Sequence, residues 1–520
     1  MFVFYSIETA VGLLIACLPV FLSVYTFFVL KKHSLSLGIL LIGAFMLRLF
    51  FISLDPYLND WDEKFHALVA KNLMAFPLQP MLYSNAILPY DYTDWTNNYI
   101  WLHKQPLFLW QSAFSMKIFG VSAFAFRIPS AIMGTVCIWL TFDIAKMWLK
   151  DVNVAYIAAL LLCTSYTYLE HISGRLVVDH NDIAFSFYGT IGIWAFVKYA
   201  LINQNKLWAM LIGVFVGAAF LNKWLFAFII YLLWLIWLLS KIKSDNRNIL
   251  ISHLMLSVLV AILIAMPWQL YCYFTFPKEF LWELDYNGKH FYSVVEGHKG
   301  SFLYHFFWSF YNYGVLLFPF SFYGGYCLFK QKQTDKIVSI ALMALVLIVY
   351  LFFSLAQTKM PTYTWFINAL VTIVIAVGIV NLFGFLKTII SLNKLRYLFL
   401  LLFTVFLIDG LKPTLVINKR SKSNDWRNEK IAELKQFKII ESNLKSNSII
   451  FNCTNKYKNN IDAMFHTNAI AYRGVPDEKT IDSLQQKGYN ITCLNFKEDN
   501  SLPNYVLKRK DIEIFTIKKE

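Results

Sequence analysis

The sequence predicts an all-α polytopic membrane protein of about twelve transmembrane helices, followed by a small C-terminal α/β soluble domain. Three observations predict it. Hydrophobic residues make up 58% of the 520 positions and charged residues only 15%, against about 25% charged in a typical soluble domain. Apolar stretches of about 20 residues, the length that crosses a hydrocarbon core, recur from residue 8 to residue 411. Beyond them the chain turns polar. A soluble fold of this length would have no interior large enough for 48 Phe and 16 Trp beside so many aliphatic residues.

The candidate spans lie at 8–30, 36–54, 123–149, 152–170, 182–201, 206–221, 224–241, 249–272, 302–329, 337–356, 363–386 and 394–411. The stretch 206–221 is short, and 107–119 (LFLWQSAFSMKIF) reads as re-entrant or as a further crossing. The N-terminal MFVFYSIETAVGLL has no basic n-region, so a retained span is expected rather than a cleaved signal. No strong internal repeat and no low-complexity tract interrupts the series.

Orientation follows from the short connections. Those at 31–34, 145–151, 198–206, 240–248, 330–336 and 387–396 are all rich in Lys and Arg, so the positive-inside rule places them in the cytoplasm. The segments 55–105, 171–181, 273–301 and 357–362 then lie outside, with both termini. The net charge of +15 has the same origin, orientation and anionic head groups, and no nucleic-acid partner is expected.

Two domains are expected. Residues 1–411 form the membrane domain, and NDWDEKFHALVAKNLMAF within 55–105 has the helical apolar spacing of an amphipathic interfacial helix. Residues 412–520 alternate strand-like runs (SIIFN, YNITCLNF) with a helical run (DEKTIDSLQQKG), as a small extracytoplasmic α/β domain would. Of the seven cysteines, Cys453 and Cys493 lie in this tail; an oxidising compartment would permit a disulfide between them. No CxxC spacing suggests zinc or redox work.

The outer segments collect the ionisable residues. They hold Asp62, Glu63, His66, His103 and Lys104, then Arg175, Asp179, His180 and Asp182, then His290, Glu296 and His298, then Lys359 and Tyr363. Charged groups at helix ends near lipid are costly to desolvate, which marks them as functional candidates. Plainer roles compete. Asp60 and Glu63 have the spacing of an N-cap and its N3 partner, and Lys104, Arg175 and Lys359 could snorkel to head groups. The histidines lack ligand spacing such as HExxH; if a divalent metal takes part, His103 and His298 are the candidates.

Four motifs in order give the set a meaning. Trp61-Asp62-Glu63-Lys64-Phe65-His66-Ala67 resembles an Asp-Glu motif opening the first outer loop of the GT-C membrane glycosyltransferases. Within that fold the match is to the protein-mannosyltransferase and lipid A aminoarabinose-transferase group. Lys104-Gln105-Pro106-Leu107 with Trp110 resembles the group's Lys-Pro-Pro-Leu segment. Phe126-Arg127-Ile128-Pro129-Ser130-Ala131 with Gly134 resembles its Arg-x-Pro-Ser-Ala pattern, and Thr358-Lys359-Met360-Pro361-Thr362-Tyr363 its Thr-Lys-x-Pro-x-Tyr motif. The similarity runs over about residues 36–410. Gln105 stands where the group has its first Pro, Thr362 where His is common, and His103 where some relatives carry an acid; one extra span precedes the first motif.

The resemblance implies an inverting transfer of a sugar from a polyprenyl-phosphate donor to a hydroxyl of a lipid, glycan or protein, at the outer face of a bacterial inner (plasma) membrane. It implies Asp62 as general base with Glu63 beside it. Lys104, Arg175 and Lys359, with Tyr363, would bind the donor phosphate. Asp179 or Asp182 would orient them, the Asp-His-Asn-Asp run permitting either. The resemblance implies no definite cofactor, and a divalent metal is left open. A transporter or flippase of lipid-linked sugars is the rival, and it should show inverted repeats and broken helix pairs.

Overall fold

The structure is a computed structural model and describes residues 3–176, 179–330, 335–389, 392–453, 459–496 and 502–517. Its helices follow the hydropathy. The first two, α1 (Ser6–Phe28) and α2 (His33–Ser53), form a tight antiparallel hairpin that ends at Asp55. The loop after it carries α3 (Asp62–Leu73) and reaches α4 (Pro106–Phe119), whose 14 residues are too few to cross a bilayer. Next come α5 (Ala123–Leu149), then α6 (Val152–Cys163) and α7 (Tyr166–Ile172), which bend by 50° where they meet, and α8 (His180–Leu201).

Helices α9 (Lys206–Lys223) and α10 (Ile230–Ser240) are separated by a backbone break at Trp224 and a 3₁₀ turn over Trp224–Ile229. Ring contacts show that the chain folds back at Trp224. Along α9, Lys223 meets Asp182 and Trp208 meets Trp194, an antiparallel pairing with α8. Along α10, Ile230 lies over Gly192 and Trp237 meets Tyr199, a parallel one. The two legs match the two expected spans. They also bring the 222–223 turn to the same end of the bundle as Asp182.

The remaining helices are α11 (Arg247–Thr275), α12 (Pro277–Tyr292), α13 (Tyr304–Tyr313), α14 (Phe320–Lys330), α15 (Lys336–Leu355), α16 (Asn368–Ile389), α17 (Leu392–Leu411) and α18 (Pro413–Asn418). Among the described residues nine helical stretches are long and apolar enough to cross a membrane, ten with the bent α6–α7 pair. The span expected over 302–329 is broken instead. Gly314 turns with φ +107, which favours glycine, and the Asp409 carboxylate accepts the freed N–H groups of Val315 (3.2 Å) and Leu316 (2.9 Å).

The tail begins with α19 (Asp425–Asn443) and holds β1 (Ser448–Phe451), α20 (Asn459–His466), β2 (Ile470–Ala471), α21 (Glu478–Gln486), β3 (Asn490–Phe496), α22 (Asn504–Lys508) and β4 (Glu513–Ile517). The four strands form one all-parallel sheet in the order β2-β1-β3-β4. Ile449, Phe451, Ile491 and Cys493 contribute to its apolar core. Cys453 and Cys493 are buried free thiols and do not form the disulfide considered above. Phe451 is the residue that pairs with Cys493, and Cys453 lies past the end of β1, beyond Asn452 at φ +63.

One expectation about α3 is corrected. Glu63 through Ala70 are all buried, because α3 is enclosed between the bundle and the tail rather than laid on an interface. The short helix α12 does expose apolar residues, Leu281, Leu284, Phe291 and Tyr292.

Candidate active site

Asp62 and His66 occupy successive turns at the start of α3, so both side chains point to one face. Trp61, the residue that delivers Asp62, sits at φ +66, a left-handed conformation that costs a non-glycine residue about 1–2 kcal/mol. Lys104 ends the loop before α4, and Asp179 stands immediately before α8 with its side chain making no capping bond. These four side chains converge. The Lys104 ammonium is 3.2 Å from Asp179 Oδ2 and 3.4 Å from Asp62 Oδ1. His66 Nε2 lies 3.8 Å from Asp179 Oδ1 and 3.9 Å from Asp62 Oδ1. Neither ring nitrogen of His66 has a hydrogen-bond partner, nor has Asp179 Oδ1, although all three atoms are buried.

The electrostatics poise the group. Burial, with Asp182 and Asp62 nearby and only partly offset by Lys104, pushes the Asp179 carboxyl up to about 7. Burial and the neighbouring Lys104, His180 and His103 hold His66 well below its usual range, so it is neutral. For Lys104 burial works the other way, yet Asp179, Asp62, Asp182 and Glu296 together raise it well above normal. A permanent cation thus lies beside a carboxylate able to exchange a proton near neutral pH.

A second cation stands alongside. Lys223 pairs with Asp182 and lies over the Tyr363 ring, 4.7 Å from its centroid. Asp182 also accepts from the Thr362 hydroxyl, and the Tyr363 hydroxyl is 3.3 Å from His290 Nδ1. Asp179 and Asp182 therefore have different partners, Lys104 and Lys223 respectively. The motif reading omitted Lys223, but the signal was available: a lone lysine between two adjacent predicted spans must sit at an outer helix end. Trp224, immediately after it, has φ +58, the same strained region as Trp61.

Several expected residues lie elsewhere. Glu63 is wholly buried, gripped by Arg127 at 2.6 and 2.9 Å, by His180 Nε2 at 2.9 Å and by the Asn59 N–H at 2.6 Å. Burial alone would raise its pKa, but Arg127 and His180 hold it well below the usual range. It has no capacity left for a substrate. Asp60 does not cap α3 with it; its carboxylate pairs with Lys64 and Lys430, 2.7 and 2.8 Å away.

Arg175 is drawn to a second buried charge cluster, where Asp55 takes Arg175 (3.3 Å), Arg420 (3.1 Å) and Arg427 (3.1 Å), and Glu170 takes Arg420 (2.8 Å). Lys359 turns onto the C-terminal carbonyls of α15, donating to Phe353 O (2.9 Å), Ser354 O (2.6 Å) and Ala356 O. Those carbonyls lack intrahelical partners, and a lysine is a good donor for them. Lys104, Arg175 and Lys359 therefore do not form the single cationic site expected from their motifs.

The donor atoms suit a divalent cation at a place the sequence did not indicate. One atom each from Asp62, His66 and Asp179 lies within 4.8 Å of the others, and two carboxylates with a neutral imidazole suit such an ion. The unpartnered His66 Nε2 and Asp179 Oδ1 fit the same reading. His103, the earlier metal candidate, is otherwise engaged, with Glu283 Oε2 3.0 Å from its Nδ1 and Trp95 stacked 4.4 Å away. Burial lifts Glu283 to about 8 and lowers His103 to about 3. His298, the other, gives backbone contacts to Val295 and Lys359 and is not in the group of three.

Comparison with known proteins agrees with the motifs. Residues 103–271 match the family described as dolichyl-phosphate-mannose-protein mannosyltransferase. The undecaprenyl phosphate-alpha-4-amino-4-deoxy-L-arabinose arabinosyl transferase 2 of Pseudomonas fluorescens is 27% identical over 269 residues, 49% of this chain and 45% of that protein. The chain thus aligns with about half the length of that relative. Among solved structures, ArnT from Cupriavidus metallidurans bound to undecaprenyl phosphate superimposes with a TM-score of 0.61 at 14% identity, covering 86% of this chain and 90% of that one. The Archaeoglobus fulgidus oligosaccharyltransferase gives 0.58 at 13% identity, covering 87% and 65%. At such identities the likeness shows the fold.

Proposed function

We propose that this chain, a GT-C-fold membrane protein similar to the protein mannosyltransferases and aminoarabinose transferases, moves a sugar from a polyprenyl-phosphate donor to a hydroxyl acceptor. The observation that carries the reading is the Lys104 ammonium held between Asp62 and Asp179 beside an unpartnered His66. A lipid-linked sugar phosphate needs a fixed cation and an adjacent base in a site poor in water, and this cluster offers both. The relatives' names point to undecaprenyl phosphate as the carrier.

In the proposed step the acceptor oxygen attacks the anomeric carbon while Asp62 takes its proton. The bond from that carbon to the phosphate oxygen breaks, and the electron pair leaves with the polyprenyl phosphate. Lys104 meets the growing negative charge on that phosphate, which favours the transition state over the ground state. Lys223 is the second cation, in place of Arg175 and Lys359. A single displacement inverts the anomeric centre. The acceptor is a lipid, glycan or protein hydroxyl, and the site faces outward from a bacterial inner membrane, with both termini on its side.

The test is transfer of radiolabelled sugar from an undecaprenyl-phosphate donor by the purified protein in detergent. An enzyme turns over without a sealed bilayer and a flippase does not, so absence of transfer with acceptor present sinks the reading. A second reading rests on the unpartnered atoms of His66 and Asp179. There, Asp62, His66 and Asp179 hold a divalent cation that supplies Lewis-acid charge for the leaving phosphate, and activity is lost on chelation and restored by metal.

A further inference from the structure

The helix that presents Asp62 and His66 has a second face. Lys64 is two residues beyond Asp62, about 200° around an α-helix, and Lys71 is seven residues farther, within about 20° of Lys64. Both lysines reach the tail. The wholly buried Lys64 ammonium pairs with Asp462 of α20 and with Asp60, 2.7 Å away. Lys71 Nζ donates to the carbonyls of Met464 (2.8 Å), Phe465 (3.0 Å) and Thr467 (2.7 Å), at the C-terminal end of the same α20. Asp60 also holds Lys430 of α19, 2.8 Å away, so the tail grips α3 from two helices.

We propose that Asp462 is a positioning residue for the transfer reaction, acting on Asp62 and His66 through Lys64; the proposal rests on the glycosyl-transfer reading of the site. The geometry makes the coupling strong. Side-chain ends lie about 5 Å from a helix axis, so a roll of about 12° shifts Asp62 by about 1 Å. A displacement of that size at a reacting group can cost about 10²-fold in rate. Asp462 is itself buried, and removing its charge takes one of the carboxylates from the wholly buried Lys64 ammonium. No residue of α20 is among those that converge on Lys104, and the contact of Asp462 with Lys64 is a direct link from α20 to the helix that presents Asp62 and His66.

The test compares Asp462→Asn and Asp462→Glu with the wild-type full chain in detergent, by sugar-transfer kinetics and by hydrogen exchange of residues 62–73. The expected result for Asp462→Asn is a kcat lower by about 10–10²-fold with the donor KM unchanged, faster exchange in 62–73, and recovery of most of kcat in Asp462→Glu. Unchanged exchange overturns the proposal. So does faster exchange with wild-type kcat, and so does equal loss of kcat and donor binding that Asp462→Glu does not rescue, the mark of a general folding defect. If the wild-type protein transfers no sugar the functional reading fails by itself, and the positioning role falls with it, while exchange still shows whether Asp462 holds α3.

Discussion

Arg127 grips Glu63 with two hydrogen bonds, 2.6 and 2.9 Å long, between side chains with no solvent exposure. The pair joins α5 to the first turn of α3, next to Asp62. Arg127 also donates to the backbone carbonyls of Asp55 (2.6 Å) and Tyr57 (2.8 Å), so one guanidinium fixes the whole approach to the site. Breaking a buried pair from one side leaves an uncompensated charge and costs about 3–5 kcal/mol. Glu63→Gln should therefore lower the melting temperature in detergent markedly. A melting curve like that of the wild type would show that Glu63 is spare for catalysis after all.

Asp62→Asn removes the proposed base while keeping its size. Turnover should fall by about 10²–10⁴-fold, with donor binding largely kept because Lys104 and Lys223 are untouched. Single-turnover kinetics separate the two effects, and a normal chemical step would reassign the base to Asp179 or His66.

Lys104→Met and Lys359→Met distinguish a donor-binding lysine from a capping one. A charge-assisted contact to the phosphate is worth about 1.5–3 kcal/mol, roughly 10–100-fold in donor affinity or rate. That loss is expected for Lys104→Met. Lys359→Met should lower thermal stability through the uncapped end of α15 and leave the donor KM alone. Equal kinetic losses in both would return Lys359 to the phosphate site.

The pH dependence should carry the signature of Asp179. Its carboxyl is pushed up to about 7, chiefly by burial. Below that pH it is protonated and loses its charge interaction with Lys104. If the ionised form is needed, the rate should rise with pH through about 7. Asp179→Asn should be slow and should lack that limb. An unchanged limb in the variant would assign it to another group.

Orientation is open to labelling. Gln204 lies in the exposed loop between α8 and α9, and Lys487 in the exposed turn after α21. With a membrane-impermeant thiol reagent applied outside, Lys487→Cys should label and Gln204→Cys should not. Six of the seven native cysteines are buried, which keeps the background low. The opposite pattern would invert the proposed topology.

Much of this molecule was legible along the chain because hydropathy and charge are local properties. Most apolar stretches became helices within a few residues, as at 123–149, although 302–329 broke in two and 152–170 bent, and the order of the motifs pointed to the fold. The runs SIIFN and YNITCLNF became parallel strands. The candidate acids and bases were visible too, since a charged residue at the end of a span stands out against its apolar neighbours. Even the turn at Lys223 was implied by the gap between two spans.

Tertiary structure decided which of these residues meet. Asp62 and Lys104 are 42 positions apart, Lys104 and Asp179 are 75, and Lys64 and Asp462 are 398. No spacing along a chain encodes such pairings. The reach of Arg127 from α5 to the first turn of α3 gave it Glu63, and Arg175 went to the Asp55 cluster, where Arg420 and Arg427 of the tail also sit, away from Lys104. Asp179 and Asp182, three residues apart at the start of α8, parted because α9 brings Lys223 to one and the 55–105 loop brings Lys104 to the other. The strained backbone at Trp61 and Trp224 belongs to the same level, since only surrounding contacts can hold a bulky residue at positive φ. Sequence determined the spans and the set of candidate groups, and the fold chose partners among them, because a buried charge takes whichever opposite charge the packing brings within reach.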